Sequence, residues 1–134
     1  MLIRRLRTLD PAARRLLFEA AVELARANVR TRWLPFAEAI AQSNRRAGVA
    51  GLQTPEACAW GVRAVASRVP FRARCLQQAL ALQRMLHRRG QPARLHYGLA
   101  MEAELEAHAW VSLHGTILIG AEEAGRFQEV ASWP

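Results

Sequence analysis

Apolar residues recur at helical spacing in the first quarter of the chain. Asp10 and Pro11 provide a helix start, because an aspartate caps free backbone N–H groups and a proline suits the first helical position. The apolar positions that follow are three or four residues apart, which predicts a helix from about residue 11 to residue 31. These positions are Leu16, Leu17, Ala20, Leu24 and Ala27.

The next segment contains two more predicted helices and a loop. Trp33-Leu-Pro35 interrupts the first pattern, so we expect a short second helix from Phe36 to Gln42 and then a loop from Ser43 to Gln53. Thr54-Pro55-Glu56 begins a third helix that runs to about Arg68, because a threonine cap followed by proline and an acidic residue is a common helix start.

The strongest helical pattern begins at Cys75. Arg88 and Arg89 in its last turn and Gly90 just after it are residues that commonly close a helix. Its apolar positions form a broad stripe, which indicates a helix with one face buried in the core. The stripe consists of Leu76, Ala79, Leu80, Leu82, Met85 and Leu86.

The last third of the chain alternates apolar and polar residues, which is the period of a β-strand. One strand is predicted over 94–99 and a second over 108–114. A turn at His114-Gly115 leads to a third strand from Thr116 to Ile119, and Arg126 to Val130 fits a short edge strand. Helices first and strands afterwards predict an α+β fold, with the helices packed on one face of a small antiparallel sheet.

We find no linker, repeat or low-complexity tract, so we expect one domain over residues 1–134, with a helical part to about residue 70.

In the second strand, His108, Trp110 and Ser112 alternate with three apolar residues. If the apolar set faces the core, His108 lies on the strand face where a site could open. The apolar set is Ala109, Val111 and Leu113.

The chain is strongly basic, with nineteen arginines, no lysine and a net charge of +8. Such a charge attracts acidic peptides, acidic protein surfaces or nucleic acid. The arginines are spread over every segment, and no recognised nucleic-acid-binding module accompanies them, which disfavours dedicated nucleic-acid binding.

No apolar run approaches the length of a membrane span. Because we recognise no secretory signal, we expect a cytoplasmic protein whose two cysteines are reduced.

The residues with the clearest chemical potential are Cys75 and His108. A helix N-terminus favours the thiolate form of a cysteine, and an imidazole on a neighbouring strand can take the thiol proton. Arg72 and Arg74 add positive charge beside Cys75. The competing interpretation is a cysteine that only packs in the core, since free cysteine is often buried. Cys58, inside the third helix, is interpreted as such a packing residue.

No metal or cofactor site is predicted. None of the histidines and cysteines shows a zinc-ligand spacing such as C-x-x-C or H-E-x-x-H. His87, His96 and His114 are therefore interpreted as solvated or hydrogen-bonded histidines without a catalytic role.

Three segments together resemble one family, the leader peptidases of lasso-peptide biosynthesis, which are transglutaminase-like cysteine proteases. The resemblance covers roughly residues 68 to 120 and includes the cysteine, its helix, a small-residue strand and the histidine strand in the family's order. The segments are Phe71-Arg-Ala-Arg-Cys75-Leu-Gln-Gln-Ala-Leu-Ala-Leu-Gln-Arg-Met-Leu-His-Arg-Arg-Gly90, Ala93-Arg-Leu-His-Tyr-Gly98 and Ala107-His-Ala-Trp-Val111.

The resemblance implies a papain- or transglutaminase-like fold, with the catalytic core over about residues 71–134. It implies that Cys75 is the nucleophile, that His108 is the base, and that the amide of Cys75 is a candidate oxyanion donor. The implied substrate is a ribosomally made lasso-peptide precursor, whose leader is removed. The implied partners are the precursor peptide, a separate leader-recognition protein of the PqqD-like type and the lasso cyclase. No membrane partner is implied.

The chain departs from the family at the third catalytic position. Family members commonly carry an aspartate about twelve residues beyond the histidine, where this chain has Gly120. Glu122 or Glu123 could supply the orienting carboxylate, a backbone carbonyl could hold the ring instead, or the site could act as a Cys-His dyad.

Two other functions remain open on the sequence alone. The missing aspartate favours a non-catalytic peptide- or protein-binding module of the same fold that keeps the cysteine for packing. Another acyl transfer, such as amide cross-linking, would use the same nucleophile with a different acceptor.

Overall fold

The computed structural model describes residues 7–35, 38, 53–71 and 73–134. Three helices come first: α1 (Pro11–Trp33), α2 (Pro55–Ala66) and α3 (Cys75–Arg88). They are followed by β1 (Arg94–Met101), β2 (Leu105–Leu113), β3 (Thr116–Ile119), the short helix α4 (Ala121–Ala124) and β4 (Gln128–Trp133). The predicted α+β fold is confirmed. The predicted helix from Phe36 to Gln42 and the loop after it lie almost wholly outside the described residues.

Helix α3 is the centre of the packing. It contacts α1 and α2 on one side and β1 and β2 on the other. Its residues from Ala79 to Gln83 are all buried, so this helix has more than one apolar face in contact with neighbours. The side chains that fill the core around α3 come from α1, α2 and the sheet: Leu16, Leu24, Cys58, Val62, Leu95, Ala109 and Val111.

The end of α3 closes with a motif that the sequence predicted. Gly90 has a φ of +74°, which an L side chain rarely adopts. Its N–H donates to the carbonyl of His87, and the N–H of Gln91 donates to the carbonyl of Leu86. These two bonds form a Schellman motif, which satisfies carbonyls that the helix itself leaves open.

The four described strands form one antiparallel sheet in the order β3-β2-β1-β4. Ala109 and Val111 belong to the core cluster, as expected, so His108, Trp110 and Ser112 share the opposite face of β2. We call this opposite face, together with His96 and Gly98 of β1, the aromatic face. The predicted edge strand at the C-terminus exists, but it is Gln128–Trp133 and lies beside β1.

Each outer strand contains a β-bulge. Val111 pairs with Ile119 and Ser112 with Ile117, which leaves Leu118 as the extra residue of β3. The carbonyl of Leu118 accepts a hydrogen bond from Arg63 of α2 at 3.1 Å. In β4, Val130 is the extra residue, because Tyr97 pairs with Ala131 while Gly98 pairs with Glu129. A bulge shifts every later residue to the other face of the strand.

A cluster of ion pairs joins the C-terminal half of α3 to α1. Arg89 is 5% exposed and donates two hydrogen bonds of 2.7 Å to the carboxylate of Glu19. Because of these bonds, the pKa of the Arg89 guanidinium is raised. Arg89 also donates to Gln53 and to the carbonyl of Met85. The sequence indicated only a favourable helix-end charge for Arg89, whereas the structure shows a partner seventy residues away.

Glu23 of α1 is almost fully buried within the same cluster. Three arginines surround its carboxylate at 3.1–3.7 Å, and such pairing offsets the cost of burying a charge. Two of them belong to α3 and one to α1: Arg84, Arg88 and Arg26.

Among the described residues, no helix is long and apolar enough to cross a membrane.

The ion pairs yield a stability prediction. Arg89→Ala should lower the free energy of unfolding by about 3–5 kcal/mol, because it leaves the carboxylate of Glu19 partly buried without its main partner. Arg126→Ala is the matched control, since Arg126 pairs with Glu102 and Glu106 and all three side chains are at least 44% exposed. It should cost less than about 1 kcal/mol. Urea unfolding followed by circular dichroism measures both, and equal small losses would contradict the prediction.

Candidate active site around Cys75 and His108

Cys75 is the first residue of α3 and is half-buried. The side chain of Gln77 accepts a hydrogen bond from the backbone N–H of Arg74 at 3.1 Å, which is one half of a capping box. Gln77 also donates to the hydroxyl of Thr31 in α1, and Gln78 donates to the carbonyl of Ala73. The turn that carries Cys75 is therefore held on both sides of the cysteine.

The backbone at the start of α3 provides the electrostatic setting. The N–H of Gln78 makes the first helical bond, to the carbonyl of Arg74, so the N–H groups of the preceding residues have no partner within the helix. Unpaired N–H groups at a helix N-terminus stabilise negative charge, whether on a thiolate or on an oxyanion. Arg72, the other cation expected beside Cys75, lies outside the described residues.

His108 is 7% exposed and belongs to β2, the strand against which α3 packs. Its Nε2 lies 3.0 Å from the carbonyl oxygen of Gly120. A carbonyl only accepts hydrogen bonds, so Nε2 carries the proton in this contact and Nδ1 is the basic nitrogen of the neutral ring. The ring also stacks against Trp110 and Phe127, with centroids 5.9 Å and 5.1 Å away. These contacts hold the plane of the His108 ring and favour the tautomer with the proton on Nε2.

Two glycines make room for this arrangement. A Cβ on Gly120 would lie 2.9 Å from Nε2 of His108 and from Cβ of Trp110, and Gly120 has a φ of +85°. A Cβ on Gly98 would lie 2.9 Å from the ring of Trp110 and 3.0 Å from Cβ of Phe127. Real Cβ atoms are not found at such distances. The close contact between His108 and the Gly120 carbonyl therefore depends on the absence of a side chain at Gly120.

The bulge at Leu118 determines where Gly120 lies. Because Ile119 pairs with Val111, the next residue of the chain falls beside Trp110 and near His108. Without the extra residue, Gly120 would be shifted by one position along β2. The hydrogen bond from Arg63 to Leu118 ties α2 to this bulge.

The other residues considered from the sequence lie on α2, α3 and α4. The backbone of Glu122 and Glu123 lies in α4, directly after Gly120, and their side chains lie outside what the structure describes. Cys58 is fully buried in the core, as expected, and burial raises the pKa of its thiol. His87 contacts the carbonyl of Ala93 at 2.9 Å.

The remaining histidines have different surroundings. His114 lies at the exposed β2–β3 turn with a φ of 50°. His96 was interpreted as an ordinary strand histidine, but it contacts both the carboxylate of Glu129 and the hydroxyl of Ser112. Sequence reasoning missed this cluster, because the contact with Glu129 depends on a bulge that no sequence pattern marks. Among the described residues, no group of three or more His, Cys, Asp and Glu could hold a metal ion.

Comparison with known proteins gives one family. A model described as the transglutaminase-like superfamily matches residues 18–132. No curated protein and no solved structure matches the chain.

Gly120 yields a prediction about what the site tolerates. Gly120→Ala should lower the free energy of unfolding by more than about 2 kcal/mol, because it combines an unfavourable φ with a Cβ that collides with His108. Gly115→Ala is the matched control, since Gly115 has a φ of +83° and open space around it. It should cost about 1 kcal/mol. Urea unfolding measures both, and a Gly120 variant no less stable than the Gly115 variant would contradict the prediction.

Proposed function

The chain belongs to the transglutaminase-like superfamily, which includes cysteine proteases, and we propose that it is a cysteine endopeptidase. Its proposed substrate is the ribosomally made precursor of a lasso peptide, from which it removes the leader. The observation that carries the proposal is the setting of the two residues: Cys75 begins a helix that packs on the strand of His108, and the Gly120 carbonyl orients the His108 ring.

In the proposed reaction His108 acts as the general base. The Sγ–H proton of Cys75 passes to Nδ1 of His108, the nitrogen that does not bond Gly120, and the thiolate attacks the scissile carbonyl carbon. This step requires Sγ to come within hydrogen-bond distance of Nδ1 in the substrate complex. The carbonyl oxygen becomes an oxyanion, for which the N–H of Cys75 at the helix start is the proposed donor.

The later steps return the enzyme to its starting state. The C–N bond breaks, and the proton on Nδ1 moves to the leaving nitrogen, which becomes the new N-terminus of the core peptide. A water molecule then attacks the thioester between Cys75 and the leader, and His108 takes one of its protons. The C–S bond breaks, the leader leaves with a C-terminal carboxylate, and the thiol recovers its proton.

The Gly120 carbonyl performs one of the two tasks of the usual aspartate. It selects the tautomer with the proton on Nε2 and fixes the ring plane, which an orienting carboxylate also does. A neutral carbonyl gives less charge stabilisation to an imidazolium than a carboxylate does. We therefore propose a Cys75-His108 dyad with a backbone orienting group, in which a contribution from Glu122 or Glu123 is secondary.

The proposed partners follow from the family and from the charge. A separate leader-recognition protein would present the precursor, and the lasso cyclase would use the new amine. This chain has no phosphate-binding glycine loop for an ATP-dependent cyclisation of its own. Its net charge of +8 suits an acidic partner surface or an acidic leader.

The central prediction is cleavage that depends on Cys75. The full chain, incubated with the cognate precursor and the leader-recognition protein, should release the leader, as read by mass spectrometry. Cys75→Ala should abolish cleavage, because the methyl group of alanine cannot attack the scissile carbonyl. Cys58→Ala is the matched control and should keep it. Identical products from the wild-type and Cys75→Ala proteins would exclude the peptidase and favour a non-catalytic binding module.

The carboxylates after Gly120 provide a second prediction. If the backbone carbonyl is sufficient to orient His108, replacing both Glu122 and Glu123 by Gln should leave the cleavage rate within about threefold of wild type. His108→Gln in the same assay should reduce it by about 10²-fold or more, since it removes the base. A comparable loss in the glutamate variant would assign the orienting role to a side chain of α4.

A further inference from the structure

Ser112, His96 and Glu129 lie in a row across three strands of the sheet. Nε2 of His96 in β1 is 2.6 Å from Oγ of Ser112 in β2, and Nδ1 of His96 contacts a carboxylate oxygen of Glu129 in β4. One nitrogen of the imidazole therefore meets a hydroxyl and the other meets a carboxylate. This is the order of groups that activates a serine nucleophile: hydroxyl, base and orienting acid.

The backbone explains how the three side chains reach each other. Ser112 pairs with Arg94, two residues along each strand from the pairing of His96 with Trp110, so His96 and Ser112 are diagonal neighbours on the aromatic face. The bulge at Val130 places Glu129 opposite Gly98 and therefore on the same face as His96. Without that extra residue, the side chain of Glu129 would project toward the helices. Bulges often redirect a side chain in this way next to functional sites.

Trp110 holds His96 in place, and Ser112, which is 9% exposed, borders a pocket. The indole of Trp110 stacks on His96, with centroids 5.6 Å apart and planes inclined by 7°. Ser112 lines a pocket of about 620 Å³ whose other walls come from the end of α3 and from the β2–β3 turn. Arg94, the cross-strand partner of Ser112, lines the same pocket and brings positive charge beside the hydroxyl.

We propose that Ser112, His96 and Glu129 form a second nucleophilic site, separate from Cys75, that hydrolyses short acyl esters. Oγ of Ser112 attacks the ester carbonyl while its proton moves to Nε2 of His96, and Glu129 holds the proton on Nδ1. The C–O bond to the alcohol breaks, and the alcohol leaves with the proton from Nε2. Water then attacks the acyl-serine through the same base, which releases the acid and restores the Ser112 hydroxyl.

A fluorophosphonate probe tests the site, because a serine nucleophile displaces its fluoride and keeps the phosphonyl group. The full chain should carry Cys75→Ala, so that the thiol contributes nothing. We expect a single adduct at Ser112 by peptide mapping, and p-nitrophenyl acetate hydrolysis that falls by at least about tenfold in Ser112→Ala. Glu129→Gln and His96→Gln should each slow labelling by at least about tenfold. Ser67→Ala, at the C-cap of α2, is the control that should label normally.

Mapping of the Cys75→Ala protein decides the matter even if the His96 variant fails to fold, since it needs no change at the proposed site. A folded protein, as judged by circular dichroism, that shows no adduct at Ser112 would overturn the proposal. An adduct at Ser132, which accepts a hydrogen bond from Arg94, would also overturn the proposal. So would labelling of Ser112 that is unchanged in a folded His96→Gln protein. His96 would then be only a link between strands. Because Cys75 is absent from these proteins, the result is independent of the peptidase assignment.

Discussion

The burial of α3 is the constraint on which the rest of the molecule depends. This helix is covered by α1 and α2 on one side and by the sheet on the other, so its position determines where every other element lies. Such a helix needs apolar residues over most of its circumference, yet its C-terminal half carries Arg84, Arg88 and Arg89. Pairing these arginines with Glu19 and Glu23 of α1 makes their burial tolerable. Cys75, the proposed nucleophile at the other end of α3, is consequently attached to the most firmly packed element of the fold.

Local pattern predicted the three long helices and, approximately, the four strands, but it missed the short helix α4 and was insufficient for the contacts between elements. The apolar stripe and the glycine after it located α3 well, because helix periodicity and helix closure depend on neighbouring residues. Arg89 shows the limit: its charge was visible, but its pairing with Glu19 joins residues that meet only after folding. The sequence also left three candidates for the group that orients His108. Only the strand register shows that the carbonyl of Gly120 lies next to Nε2, since one bulge residue decides it.

The aromatic face of the sheet links the two proposed sites physically. The indole of Trp110 stacks on His96 and also on His108. Neither imidazole is therefore positioned independently of the other. Gly98 of β1 leaves room for the indole of Trp110, since a Cβ there would lie 2.9 Å from its ring. A displacement of the indole would move both histidines. The opposite face of β2, with Ala109 and Val111, packs against the helices instead.

Gly120 restricts which residues this position accepts. The glycine allows the backbone to enter a region that side chains avoid, with a φ of +85°. The imidazole of His108 occupies the space that a Cβ would need. An aspartate introduced at this position would therefore meet both a strained backbone and an occupied volume. In this geometry the carbonyl-held histidine excludes a side-chain carboxylate at residue 120, so a carboxylate could join the site only from another position.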